Sequence, residues 1–113
     1  MKKTQKKTIL IDLDGVLNQY EGYFDINNIP DIKNGAEEFI KQLYENYTIK
    51  IFTTRNKIQT VKWLIKYNLD KYIDDVTDIK EPALLHIDDR CICFDGNYSN
   101  TIEKIKIFKT WYK

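Results

Sequence analysis

The fold is decided by the stretch Thr8-Ile9-Leu10-Ile11-Asp12-Leu13-Asp14-Gly15. An apolar run that ends in acidic residues is typical of a buried strand in a parallel sheet. The glycine that follows lets the backbone turn sharply. Because ligands bind beyond the carboxyl ends of parallel strands, Asp12 and Asp14 are the first candidates for a functional site.

Strands and helices alternate along the rest of the chain. The strands are predicted at residues 8–13, 48–52, a short segment at the end of 69–76, 84–87 and 91–94. The helices are predicted to begin at Asn34-Gly35 and to cover residues 56–67 and 101–108. This alternation predicts an α/β fold, namely a three-layer Rossmann-like domain with a mostly parallel central sheet.

Helix ends and helix faces follow from residue type and spacing. Asn34 is the predicted N-cap of the first helix, since its side chain can accept a backbone hydrogen bond. The last helix is predicted to turn three apolar side chains inward, those of Ile102, Ile105 and Phe108. Trp63 and Trp111 are interpreted as core or interface residues.

Length and composition restrict the function. With 113 residues and no linker, residues 1–113 are predicted to form a single domain. The formal net charge of +1 provides no global field for binding nucleic acid or a membrane. No segment has the length of a membrane span or the apolar core of a signal peptide. The basic run at Lys2, Lys3, Lys6 and Lys7 is more typical of a solvated terminus than of a nucleic-acid arm.

The two cysteines suggest a compartment. Cys91 and Cys93 are two residues apart, too distant on a strand for an easy disulfide and too few for a zinc site. We therefore predict buried, reduced thiols in a cytoplasmic protein.

Side chains with oxygen atoms also follow the second and fourth strands. Thr53 or Thr54 could hold a phosphate oxygen through the hydroxyl and nearby backbone N–H groups, and Thr53 is favoured. Asp88 and Asp89 bring the acids at this sheet edge to four. Crowded carboxylates repel one another, and a hard cation such as Mg²⁺ relieves that repulsion.

These residues could together perform phosphoryl chemistry. One carboxylate of the pair Asp12 and Asp14 can attack phosphorus, while the other moves a proton. Lys80 could neutralise the phosphate, and Arg55 could grip it or lie on the surface. A solvated acidic turn explains Asp12 and Asp14 equally well when they are considered alone.

The ordered set of four motifs resembles the haloacid dehalogenase superfamily of phosphohydrolases. The motifs are residues 9–17, 51–55, 80–82 and 86–90, and the resemblance extends from about residue 8 to residue 95. The segments 18–34 and 56–78, where such proteins carry a cap domain, are short here. The chain therefore looks like a small member without a cap.

The resemblance implies a role for each residue. Asp12 would be the nucleophile, Asp14 the general acid and base, and Lys80 the stabiliser of charge. Phosphate would be bound by Thr53 or Thr54, with Lys80 and Gly15. Mg²⁺ would be held by the Asp12 carboxylate, the backbone carbonyl of Asp14 and Asp88. Asp89 and Arg55 would support them.

The hypothesis is thus a Mg²⁺-dependent phosphatase that hydrolyses a phosphomonoester through an aspartyl-phosphate. A phosphate-binding module without catalysis is an alternative from a different class. A phosphotransferase, or a phosphatase for nucleotides or nucleic-acid ends, is a further alternative within the same fold. The expected partner is a small phosphorylated substrate, and no membrane partner is expected. The oligomeric state stays open.

Overall fold

A computed structural model describes residues 6–113. Its strands are β1 (Lys7–Asp12), β2 (Tyr47–Phe52), β3 (Ile73–Thr77) and β4 (Leu85–Ile87). Its helices are α1 (Ala36–Tyr44), α2 (Lys57–Lys66) and α3 (Tyr98–Ile107), with a 3-10 turn at Asp70–Tyr72. Of the basic run, Lys2 and Lys3 lie outside the described residues. Lys6 donates to the carbonyl of Tyr44 at 2.8 Å, and Lys7 begins β1.

The four strands form one parallel sheet in the order β3-β2-β1-β4. The predicted α/β class and parallel sheet are thereby confirmed. The chain moves outward from β1 to β2 and β3, then crosses to the other side of β1 to form β4. The change of direction places a switch point between β1 and β4, where a crevice opens at the carboxyl edge of the sheet.

One face of the sheet carries the core. Ile9 and Ile11 of β1 are buried on this face, beside the isoleucines of β2. Ile40 of α1 and Leu64 of α2 belong to the same buried cluster, so both helices cover this face. Burying a side chain of this size contributes about 1.5–3 kcal/mol, which makes this layer the main source of stability.

The two packed helices begin in different ways. Asn56 caps α2, because its side chain accepts a hydrogen bond from the backbone N–H of Gln59 at 3.0 Å. At α1 the prediction that Asn34 is the N-cap is wrong. Gly35 occupies that position with a φ of 92°, and no side chain caps the helix. The left-handed backbone of Gly35 makes the sharp entry into α1, which a residue with a side chain adopts at a cost.

The opposite face of the sheet differs from the prediction. The connection from β3 to β4 contains no helix, so no crossover helix covers this face within the described chain. Helix α3 follows β4 but has no buried residue, and Ile102, Ile105 and Phe108 are exposed rather than inward. The structure therefore shows a parallel sheet with α1 and α2 packed on one face, and in residues 6–113 helix α3 adds no buried side chain to a third layer.

The segment after β4 is also irregular. Residues 91–94 form no strand, so the predicted fifth strand is wrong. With β4 at the edge of the sheet, this segment has no strand partner and turns toward α3. Cys91 and Cys93 consequently are exposed free thiols, which corrects the prediction that they are buried.

Residues 18–34 form a long loop that folds back on the domain. A single isolated bridge pairs Asn18 with Ile32. The indole N–H of Trp63 donates to the carbonyl of Pro30 at 3.0 Å and fixes the loop to α2. In residues 6–113 no helix has the length and apolar character needed to cross a membrane.

Candidate functional site

Three carboxylates meet in the crevice between β1 and β4. Asp12 is the last residue of β1, and Asp88 and Asp89 directly follow β4. Because Ile11 pairs with Ile87 in the parallel register, the next residue of each strand lies at the same edge. Each of the three aspartates offers an oxygen, and these oxygens lie within 4.8 Å of one another.

The carboxylates of the cluster repel one another, and burial disfavours their charged forms. Burial raises the pKa of Asp12 to about 8, and repulsion from Asp88, Asp89 and Asp14 adds to the effect. Burial also raises the pKa of Asp89, and an interaction with Tyr112 partly opposes that rise. The Oδ2 atom of Asp89 is buried without a hydrogen-bond partner in the described chain. An all-oxygen donor set with an unsatisfied oxygen fits a hard divalent cation, which would relieve the repulsion.

Asp14 does not join this cluster. Its carboxylate accepts two hydrogen bonds from Nε of Arg55, at 2.8 and 3.1 Å, and one from Nδ2 of Asn18 at 3.0 Å. The structure thus brings together the carboxylates of Asp12, Asp88 and Asp89. The expected metal set used the backbone carbonyl of Asp14 rather than its carboxylate, and that part stays a prediction.

Arg55 is a buried anchor rather than a surface residue. Only 2% of its side chain is exposed in the ion pair with Asp14. Its Nη1 atom donates to the carbonyl of Asp25 at 2.9 Å, and the guanidinium lies 4.5 Å from the ring centroid of Phe24. Arg55 therefore connects the end of β2, the turn after β1 and the loop 18–34.

Lys80 lies on the same side of the sheet as the acidic cluster. It lines a cavity of about 200 Å³ together with Asp12, Asp88, His86 and Phe52. The side chain belongs to an exposed residue in the connection between β3 and β4. Lys80 is thus the cation that shares a cavity with the predicted nucleophile.

Thr53 and Thr54 lie elsewhere along the same edge. Both line a second groove of about 530 Å³ between the ends of β2 and β3, and neither lines the cavity of Asp12 and Lys80. Thr53 is buried, and its hydroxyl accepts a hydrogen bond from the backbone N–H of Arg55 at 3.1 Å. Thr54 is exposed.

Gly15 is required by its neighbour in the site. Its φ of 83° lies in the left-handed region, and a Cβ at this position would collide with the carboxylate of Asp89. The backbone N–H of Gly15 donates to Oδ1 of Asn18 at 3.1 Å. The resemblance counts Gly15 among the phosphate-binding residues, but in this structure the space beside its Cα is occupied by the carboxylate of Asp89.

Two groups of residues at the site were not predicted as site residues from the sequence, where Trp111 was interpreted as a core or interface residue. Asn18 is fully buried and bonds to Asp14, Gly15 and Tyr20, so it organises the whole turn. The sequence signal that could have identified Asn18 is its position, a few residues after the acidic end of the first strand. Trp111 and Tyr112 contact Gly15 and Asp89, and their distance in sequence gave no signal at all.

Comparisons with known proteins find a protein that is similar in sequence and a solved structure of similar fold. No protein-family model matches the chain. The G-protein coupled receptor-associated protein LMBRD2 of Caenorhabditis briggsae is 28% identical over 87 residues, which are 77% of this chain and 14% of that protein. The chain thus spans a small part of the length of that relative.

A solved structure matches over almost the whole chain. It is the conserved protein coded by a locus of Bacteroides thetaiotaomicron, with a TM-score of 0.62, 21% identity and 95% of each chain covered. At this identity the similarity shows the fold alone. The overall fold of this chain therefore also occurs in a second protein.

Proposed function

We propose that this protein is a Mg²⁺-dependent phosphatase that hydrolyses a small phosphomonoester. The observation that carries the proposal is the meeting of Asp12, Asp88 and Asp89 at the switch point of the sheet, with Lys80 lining the same cavity. The resemblance of the four motifs to the haloacid dehalogenase superfamily supports the same reaction. A cytoplasmic location belongs to the proposal, since Cys91 and Cys93 are free thiols.

The acidic cluster would hold the cation. Asp12, Asp88 and Asp89 are the available carboxylates, and the resemblance adds the backbone carbonyl of Asp14. When bound, Mg²⁺ supplies positive charge that offsets the phosphate and the crowded carboxylates. Lys80 adds a second positive charge from the protein itself.

In the first step, Asp12 attacks phosphorus. A bond forms between its carboxylate oxygen and phosphorus, and the bond from phosphorus to the ester oxygen breaks. Asp14 gives its proton to the leaving alkoxide. In the second step Asp14 takes a proton from water, which attacks phosphorus and releases inorganic phosphate and the free Asp12 carboxylate.

The position of Asp14 gives this mechanism one requirement. Its carboxylate is engaged with Arg55 and Asn18 and is not one of the three that meet in the cluster. Proton transfer to a leaving group needs direct contact or one bridging water. Asp14 must therefore exchange the contact with Arg55 for the substrate during turnover.

The test is hydrolysis of an aryl phosphate with and without Mg²⁺, by the wild type and by Asp12→Asn. The amide of asparagine is no nucleophile for phosphorus, so we expect kcat/KM to fall by about 10³-fold or more. Asp74→Asn is the matched control, because Asp74 is exposed on β3 and outside the cluster. Equal activity of the wild type and Asp12→Asn would refute the proposal. A screen over nucleotides, sugar phosphates and phosphorylated DNA ends then identifies the substrate.

A phosphate-binding module without turnover is the second candidate. Two observations favour it, namely the ion pair that occupies Asp14 and the separate groove that holds Thr53 and Thr54. Such a module binds a phosphate-mimicking fluoride with Mg²⁺ but hydrolyses nothing in the screen. Turnover by the wild type excludes it.

A further inference from the structure

The end of the chain returns to the candidate site. Helix α3 buries none of its residues, but the C-terminal segment that follows it, residues 110–113, packs against the turn after β1. The indole N–H of Trp111 donates to the carbonyl of Gly15 at 2.6 Å. This hydrogen bond joins residues 96 positions apart in the sequence.

Tyr112 makes the second contact. Its phenol interacts with the carboxylate of Asp89, and its ring lies edge-on to Tyr20 with the centroids 6.0 Å apart. Asp89 is the member of the acidic cluster that fills the space left by Gly15. Gly15 and the carboxylate of Asp89 lie directly beside each other. Trp111 contacts the first of them and Tyr112 the second.

The segment also contacts the loop 18–34. The ammonium of Lys33 lies 4.7 Å from the ring centroid of Trp111. Gly22 lies against the side chain of Lys113, since a Cβ on Gly22 would be 3.5 Å from Cε of that lysine. Residues 111–113 thus lie between this loop and the turn that carries Asp14.

We propose that Trp111 and Tyr112 are positioning residues, which hold the Gly15 turn and the Asp89 carboxylate in place for the acidic cluster. This inference rests on the proposed function for its catalytic consequence. A glycine peptide rotates more easily than any other, so its orientation must be fixed by hydrogen bonds. Asn18 fixes the N–H of Gly15, and Trp111 fixes its carbonyl.

The positioning would affect catalysis because Asp12 and Asp14 directly precede the Gly15 turn and the carboxylate of Asp89 lies beside it. A displacement of about 1 Å among reacting groups can cost about 10²-fold in rate. Trp111 suits the task although half of it is exposed, because its N–H points to one acceptor while its ring lies against the ammonium of Lys33. A tail that only covers apolar surface would need the ring but not the N–H.

The experiment compares Trp111→Phe with the wild type and with Trp63→Phe. The phenylalanine at 111 keeps an aromatic ring and removes the N–H. Trp63 is the matched control, since it is a core residue whose indole also donates to a backbone carbonyl, that of Pro30. We expect kcat of Trp111→Phe on the aryl phosphate to fall about tenfold with KM nearly unchanged. Trp63→Phe should lower the unfolding temperature and leave kcat unchanged.

Amide hydrogen exchange, followed by NMR, gives a readout that does not depend on activity. The amide of Gly15 should exchange faster in Trp111→Phe, because the turn has lost one of its two anchors. Exchange and kcat equal to those of the wild type would overturn the proposal. If the wild type hydrolyses nothing, the proposed function fails, but the exchange rate of Gly15 still decides whether Trp111 positions the turn.

A second variant guards against loss of folding. Tyr112→Phe keeps the ring beside Tyr20 and removes the hydroxyl near Asp89. Titration with Mg²⁺ should show affinity at least several-fold weaker than that of the wild type. Unchanged affinity in Tyr112→Phe, combined with unchanged Gly15 exchange in any folded Trp111 variant, would refute the positioning role.

Discussion

At the scale of single residues, Asp12 combines a strongly raised pKa with the role of nucleophile in the proposed reaction. Burial and three neighbouring aspartates raise its pKa from 3.8 to about 8. Between these values the folded protein binds a proton at Asp12 that the unfolded chain releases. The free energy of unfolding therefore decreases as the pH rises through this range in the absence of metal. The same repulsion is what a bound cation would remove.

Asp12→Asn should stabilise the metal-free protein, and more so as the pH rises from about 4 to about 8. The amide has a similar shape and no charge, so the repulsion from Asp88 and Asp89 disappears. We expect the unfolding temperature at pH 8 in EDTA to rise by about 4 °C or more, the shift that about 1 kcal/mol produces in a domain of this size.

Thermal unfolding in EDTA at several pH values measures this effect, with Asp74→Asn as the control. Adding Mg²⁺ should stabilise the wild type more than Asp12→Asn, because the variant has lost a ligand and the repulsion. An unfolding temperature of Asp12→Asn equal to that of the wild type at every pH would contradict the prediction.

At the scale of elements, the two capped helices allow a matched comparison. Asn56 caps α2 and Asn97 caps α3, each by accepting a hydrogen bond from a backbone N–H at 3.0 Å. Helix α2 buries Trp63 and Leu64, whereas α3 buries nothing. The same lost hydrogen bond should therefore have different consequences in the two helices.

Asn56→Ala should lower the free energy of unfolding by about 1 kcal/mol, the usual value of a cap. Asn97→Ala should leave global stability nearly unchanged and only increase hydrogen exchange in the first turn of α3, since that helix can open without exposing the core. Urea unfolding followed by circular dichroism measures the first effect. Equal losses in the two variants would show that α3 is coupled to the core.

The same difference explains which elements could be predicted from the sequence. The apolar runs of β1 and β2 are buried by α1 and α2, so pattern and structure agree. The spacing of Ile102, Ile105 and Phe108 is equally helical, but these side chains stay exposed in the part of the chain that the structure describes. Spacing predicts a helix, whereas burial depends on what the rest of the chain brings to its face.

Some contacts of the candidate site could likewise be predicted from the sequence, and others could not. Asp12 and Asp88 could be predicted together, because adjacent parallel strands deliver their carboxyl ends to one edge. The pairing of Asp14 with Arg55 could not, since it requires the loop 18–34 to fold over both. The contact of Trp111 with Gly15 depends on the last residues of the chain, whose path after α3 follows from no local pattern.

At the scale of the whole molecule, Arg55 links parts that are remote in the sequence. Its guanidinium bonds to Asp14 after β1 and to the carbonyl of Asp25 in the loop, and it stacks on Phe24. The planar fork of arginine can make these contacts at once, whereas a lysine offers a single ammonium. Arg55 therefore ties the Asp25 end of the loop 18–34 to the turn after β1, in addition to the contact of Trp63 with Pro30.

Arg55→Lys should detach this loop while keeping the charge. We expect the free energy of unfolding to fall by about 2 kcal/mol, because a partly buried carboxylate and a carbonyl lose well-oriented partners. Hydrogen exchange should increase in the loop between Tyr20 and Ile29 far more than in β1 or β2. The control is Arg90→Lys, which changes the other arginine of the chain at an exposed position.

The effect of Arg55→Lys on hydrolysis tests the requirement that Asp14 leave Arg55 during turnover. If the ion pair restrains Asp14, a weaker pair should lower the cost of releasing it and leave kcat at or above the wild-type value at temperatures where the variant is folded. A large fall in kcat with KM unchanged would instead mean that Arg55 holds Asp14 in its reactive position. The first outcome makes the ion pair a resting arrangement that the substrate displaces, and the second makes Arg55 part of the working site.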